Sequence, residues 1–142
     1  MVVGEHNTAT GADGVFHKIA CIKNHPDYSF PNYDFSILTL ETPVDITSAD
    51  SKARAACLPS NKSRLYDNGE MMTVSGWGAQ EEGQSFFDLP AVLHHVEVPG
   101  VPSNVCQEDY NVGPFRPRIT AEMMCAGLDE GGIDSCQGDS GG

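Results

Sequence analysis

Gln137-Gly138-Asp139-Ser140-Gly141-Gly142 closes the chain and contains its most informative serine. Glycines on both sides let a tight turn hold the Ser140 hydroxyl exposed and leave nearby backbone N–H groups free to face a developing negative charge. An acyl-transferring nucleophile needs both an accessible hydroxyl and a pre-aimed oxyanion hole. A Gly-x-Ser-Gly run alone is more often a plain turn, so the neighbouring residues matter. Asp139 adds a carboxylate that, once buried, must find a cation or several donors. Asp134, six residues before the serine, is either a solvated loop acid or a carboxylate lining a pocket entered by a basic group.

Outward from this loop the pattern is that of short strands. Val15–Ile22, Phe35–Leu40, Met71–Ser75 and Ala91–Val98 are rich in β-branched and apolar residues, and Glu122–Gly127 reads as a further short strand. Met1-Val2-Val3-Gly4 reads as the inside of a strand rather than a start. Pro26 and Pro31 exclude regular helix between His25 and Asn32, Gly76-Trp77-Gly78 is a sharp corner, and Pro99-Gly100 is expected to end its strand. One short helix is predicted around Val105–Tyr110. Glu41–Gly69 is polar and reads as a long linker anchored at Ala56-Cys57-Leu58-Pro59.

Composition narrows the function classes. A net charge of -12 argues against nucleic acid and anionic membrane surfaces as partners, and its bland meaning is solubility. No apolar run approaches the roughly 18–20 residues of a membrane span. Neither a secretory leader nor a cofactor fingerprint is visible, and five cysteines suit an oxidising compartment. Asn61-Lys62-Ser63 is a glycosylation sequon of a kind common by chance. Asp34 leads straight into an apolar strand; it either caps a turn or is an acid that orients a histidine.

Taken together, Gly138-Asp139-Ser140-Gly141-Gly142 with Asp134-Ser135-Cys136, Tyr33-Asp34-Phe35-Ser36-Ile37-Leu38, Ala56-Cys57-Leu58-Pro59, Val74-Ser75-Gly76-Trp77-Gly78 and Met124-Cys125-Ala126-Gly127 resemble the trypsin-like serine endopeptidases in order and spacing. That resemblance runs the length of the chain. It implies an all-β, two-barrel chymotrypsin-like fold, present in part: residues 1–45 from the first barrel, 46–70 linking the barrels, and 71–142 from the second.

The resemblance also assigns roles. Ser140 would be the nucleophile and Asp34 the acid that orients the catalytic histidine, with the N–H groups of Gly138 and Ser140 as the oxyanion hole. Asp139 would accept the ammonium created by zymogen cleavage. Asp134, beside Ser135, would lie at the base of a pocket selecting Arg or Lys before the scissile bond. Partners would be protein or peptide substrates and protein protease inhibitors, with an extracellular location and no cofactor. Cys106 and Cys125 would form a disulfide, while Cys136 and Cys57 would pair with cysteines of other segments. Cys21 is not a usual family position, and its pairing with Cys57 stays open. Met72 stands where many relatives have a cysteine.

Three features depart from the family pattern. No Ala-Ala-His-Cys-like stretch supplies the general base, and His6, His17, His25, His94 and His95 read as surface or structural residues. The activation segment is not recognisable. A family domain runs to about 200–250 residues, so the chain is expected to be a piece of a longer secreted protein, inactive by itself. The alternative is a non-catalytic, protease-like binding or regulatory module, which intact Ser140 and Asp139 argue against. No metal-ligand spacing emerges; the Glu5–Asp13 loop offers two acids where calcium needs six to eight ligands, and a plain loop is preferred.

Overall fold

A computed structural model describes residues 1–58, 68–111 and 118–141. Pro59, Gly142 and the sequon at Asn61 lie outside them. Two compact units divide the chain, Met1–Ser60 and Asn61–Gly142.

In the first unit, β1 (Val2–Val3) pairs antiparallel with β2 (Val15–Phe16), and β3 (Ile19–Asn24) pairs antiparallel with β4 (Ser36–Leu40). The single strand expected over Val15–Ile22 is therefore two, interrupted at His17-Lys18. The cause is a distant partner: the His17 N–H donates to the Met1 carbonyl at 2.8 Å, and the Met1 ammonium donates to the His17 carbonyl at 2.9 Å. With its backbone groups turned to Met1, His17 cannot continue the β3 ladder, and its ring is buried with Nδ1 3.5 Å from the Thr42 hydroxyl.

Both acids of the Glu5–Asp13 loop have partners. Glu5 accepts the N–H groups of His6, Asn7 and Gly14 at 3.1–3.2 Å, and Asp13 pairs with Lys52, which holds the Asp13 carboxyl below its usual range. Further along, Asp45 accepts the N–H groups of Thr47 and Ser48 at 2.9 and 3.1 Å, forming a turn. Hydrogen bonds from Ser48 and Thr47 hold the Asp45 carboxyl well below the ordinary carboxylate range.

In the second unit β5 (Met71–Gly76), β6 (His94–Val101) and β7 (Cys125–Ala126) form one antiparallel sheet in that order. β6 runs through Pro99-Gly100 instead of ending there. Proline is tolerated because the ladder needs other groups at this point: the Pro99 carbonyl accepts from Gly127 N–H at 3.0 Å, and Gly100 N–H donates to the Glu70 carbonyl at 2.9 Å. The missing donor thus falls where β7 has already ended. The short helix α1 (Ser103–Asp109) follows directly.

Seven residues make a marginal helix in isolation. α1 is tied down by the Cys106–Cys125 disulfide, with Cα atoms 6.3 Å apart, and by the Gln107 side chain, which accepts Ile119 N–H at 2.9 Å. Cys106 and Val98 are among the few fully covered apolar residues. Cys21 and Cys57 are exposed free thiols and Cys136 is a half-buried one, so no Cys21–Cys57 bond forms. Replacing Cys106 and Cys125 together by serine removes a cross-link between residues 19 apart, and should cost about 3 kcal/mol of stability. Denaturant unfolding with and without reductant measures this; a wild-type midpoint insensitive to reductant would contradict it.

Candidate active site

The loop before Ser140 is anchored by a carboxylate seated on backbone. Gly78 N–H donates to Asp139 Oδ1 at 2.7 Å and Cys136 N–H donates to Oδ2 at 2.9 Å. Ala79 N–H reaches the Gln137 carbonyl at 2.8 Å, and Asp139 N–H closes a turn onto the Cys136 carbonyl at 3.1 Å. Four bonds therefore join the end of β5 to the serine loop or close that loop on itself, and two of them end on a charged acceptor, which makes them the stronger kind.

The glycines at the end of β5 exist for this seat. A Cβ placed on Gly78 would stand 2.5 Å from the Asp139 carboxyl carbon, and one on Gly76 would overlap Oδ1. Gly138 is at φ +101°, and a Cβ there would lie 3.1 Å from the Gly78 Cα. Two chain segments approach this closely only because neither carries a side chain. Gly76-Trp77-Gly78 was legible as a corner; its function as a carboxylate seat was not, although glycines bracketing one large residue are the signal that could have suggested a close neighbour.

Past this anchor, Ser140 is exposed, and among the described residues neither its N–H nor that of Gly138 has an acceptor. Gly141 follows at φ +86°. Asp134 and Ser135 are exposed as well, and Ser135 N–H donates to Asp134 Oδ1 at 2.7 Å. Asp134, Ser135 and Asp139 line one open cavity of about 620 Å³, together with Glu81, Glu82, His94 and His95. Among the described residues its walls carry no lysine or arginine. The two histidines, which alternate faces along β6, both reach this rim, and the Gln80 side chain lies 3.3 Å from His94. Glu81 and Glu82 were not anticipated as cavity residues, because a loop acid is ordinarily solvated.

Asp34 belongs to the first unit. It is exposed and centred in a three-residue turn closed by Phe35 N–H donating to the Tyr33 carbonyl at 2.9 Å, immediately before β4. Among the described residues no group of three or more histidine, cysteine or acidic side chains is arranged to hold a metal ion. No helix there is long and apolar enough to cross a membrane.

The family model described as Trypsin matches residues 1–142. The chain belongs to the trypsin family. The fold is accordingly the chymotrypsin-like two-barrel fold, represented in part by these strands. A vitellin-degrading protease from Bombyx mori is 38% identical over 130 residues, covering 92% of this chain and 46% of that protein. Trypsin Tyr p 3.0101 from Tyrophagus putrescentiae is 38% identical over 138 residues, 96% of this chain and 46% of that protein. Serine proteinase stubble of Drosophila melanogaster is 40% identical over 120 residues, covering 83% of this chain and 14% of that protein. The chain thus spans about half or less of the length of these relatives.

Proposed function

We propose that these residues serve a secreted serine endopeptidase that cleaves after Arg or Lys through an acyl-enzyme. The observation that supports this most strongly is the seating of Asp139, which fixes the loop one residue from an exposed serine. Ser140 Oγ attacks the scissile carbonyl and passes its proton to a histidine supplied by a longer protein. The Gly138 and Ser140 N–H groups meet the oxyanion, and Asp34 holds the histidine in the tautomer that accepts the proton. In that longer protein residues 1–45 and 71–142 contribute to the two barrels and 46–70 connects them.

Specificity follows from charge. A cavity of about 620 Å³ is within the usual range for a small-molecule pocket, and its carboxylates favour a guanidinium or ammonium over a neutral group. Asp134 meets that cation; a basic side chain entering without it would be left buried and unpaired. Asp139 keeps lone pairs beyond the two N–H bonds it accepts, so an activating ammonium adds to the seat without dismantling it. Protein inhibitors that present a basic loop would occupy the same cavity.

Measurements on the complete protein, and one on this chain alone, test the proposal. Ser140→Ala should abolish hydrolysis of an arginine ester, and the 142-residue chain alone should show no turnover above that variant. Asp134→Ser should lower kcat/KM for the arginine ester by about 10³-fold, the scale of an unpaired buried cation, while a phenylalanine ester changes little. Faster wild-type turnover of the phenylalanine ester would overturn the role given to Asp134.

A further inference from the structure

Asp34 sits between two residues whose side chains both pack on one imidazole. The His25 ring stacks on Tyr33 at 4.7 Å between centroids and 6° between planes, and it meets Phe35 at 4.8 Å and 57°. The backbone is gripped at the same place: His25 N–H donates to the Phe35 carbonyl at 3.2 Å. The imidazole is itself oriented, since Asp27 N–H donates to Nδ1 at 3.1 Å, which leaves the ring proton on Nε2.

What this clamp holds is a conformation the chain does not adopt readily. Tyr33 has φ +54°, in the left-handed region that a bulky side chain disfavours, and it is the only described non-glycine residue with positive φ. Such a residue persists where surrounding contacts over-determine it. Immediately after it, the turn centred on Asp34 reverses the chain into β4. Loss of the ring contacts would let Tyr33 relax towards ordinary φ, and the direction of the next residue would change with it. Other histidines have different duties: His17 is locked to Met1, and His94 and His95 face the cavity of the second unit.

We propose that His25 is a positioning residue for Asp34, clamping the turn from both flanks through Tyr33 and Phe35. This rests on the reading of Asp34 as the acid of the triad. It makes no contact with substrate and carries no proton in the reaction. It fixes where the Asp34 carboxylate points, and so acts on the step in which the histidine becomes charged, after substrate has bound.

The test uses the complete protein and counts active sites with a burst titrant, so that kcat refers to folded, competent enzyme. His25→Ala should lower kcat about ten- to a hundredfold, the scale of a misplaced catalytic group, with KM for an arginine ester within about twofold. His25→Phe keeps a flat ring against Tyr33 and Phe35 while removing the nitrogens, and should recover most of that kcat. Asp34→Asn runs beside them. If Asp34→Asn is inactive while His25→Ala keeps wild-type kcat per titrated site, the positioning role is wrong and the triad reading stands. If Asp34→Asn is fully active, the triad reading itself fails. A His25→Ala effect confined to KM or to the number of titratable sites, or a His25→Phe as impaired as alanine, also overturns the clamp.

Discussion

Asp34→Asn in the complete protein is expected to lower kcat by about 10⁴-fold with little change in KM, a magnitude carried over from well-studied members of the family. The physical cause lies in hydrogen-bond polarity. A carboxylate only accepts, so a histidine facing it keeps its proton on the near nitrogen and its far nitrogen free to take the serine proton. An amide can present N–H instead and select the opposite tautomer. It also removes the negative charge that stabilises the imidazolium as it forms. Asn has almost the same shape as Asp, and Asp34 is exposed on its turn before β4, so folding should be unaffected. A melting temperature within a degree or two of wild type, beside the collapse in kcat, is the expected pair of results. Activity within tenfold of wild type would remove Asp34 from the triad.

Legibility in the sequence followed whether a residue's role was set by near neighbours or by distant ones. Ser36–Leu40 and Met71–Gly76 form strands because β-branched and apolar residues dominate those windows, and α1 falls where expected for similar local reasons. The misplacements arose from long-range partners. His17 leaves the ladder because Met1, sixteen residues away, takes its backbone groups. β6 passes through Pro99 because Gly127 and Glu70 need only the groups that Pro99 and Gly100 retain. Neither fact is written in the few residues around the break.

The same division runs through the site. Gly138-Asp139-Ser140 reads as a candidate nucleophile loop from its own residues, but the seat for Asp139 lies sixty-one residues earlier at Gly78. The acidity of the cavity depends on Glu81 and Glu82 arriving from a loop that looks like ordinary solvated surface. Tyr33 is the reverse case. No pattern marks a tyrosine for positive φ, and the stack against His25 gives that conformation a reason.

Gly78→Ala carries the other large expected effect, and it follows from the seat alone. The new methyl would stand 2.5 Å from the Asp139 carboxyl carbon and Oδ1, and 2.7 Å from Oδ2, well inside contact distance. Neither side can yield cheaply. Gly78 approaches the Gly138 backbone closely, and its own N–H holds Oδ1. The carboxylate would have to swing away, losing a charged-acceptor hydrogen bond and leaving Gly78 N–H buried without an acceptor. Overpacking contributes about 1–3 kcal/mol and the lost bond a similar amount. Because Asp139 is bonded directly to Ser140, the displacement passes to the proposed nucleophile and to the Gly138 and Ser140 N–H groups proposed to meet the oxyanion. Loss of one oxyanion donor costs about 10²–10³ in kcat, and a fall of at least that size is expected in the complete protein. Circular dichroism should meanwhile show the strands intact, since β5 pairs with β6 through Met71 to Gly76 and Gly78 lies beyond the ladder. A Gly78→Ala enzyme with wild-type kcat would mean that the Asp139 seat does not govern the serine loop.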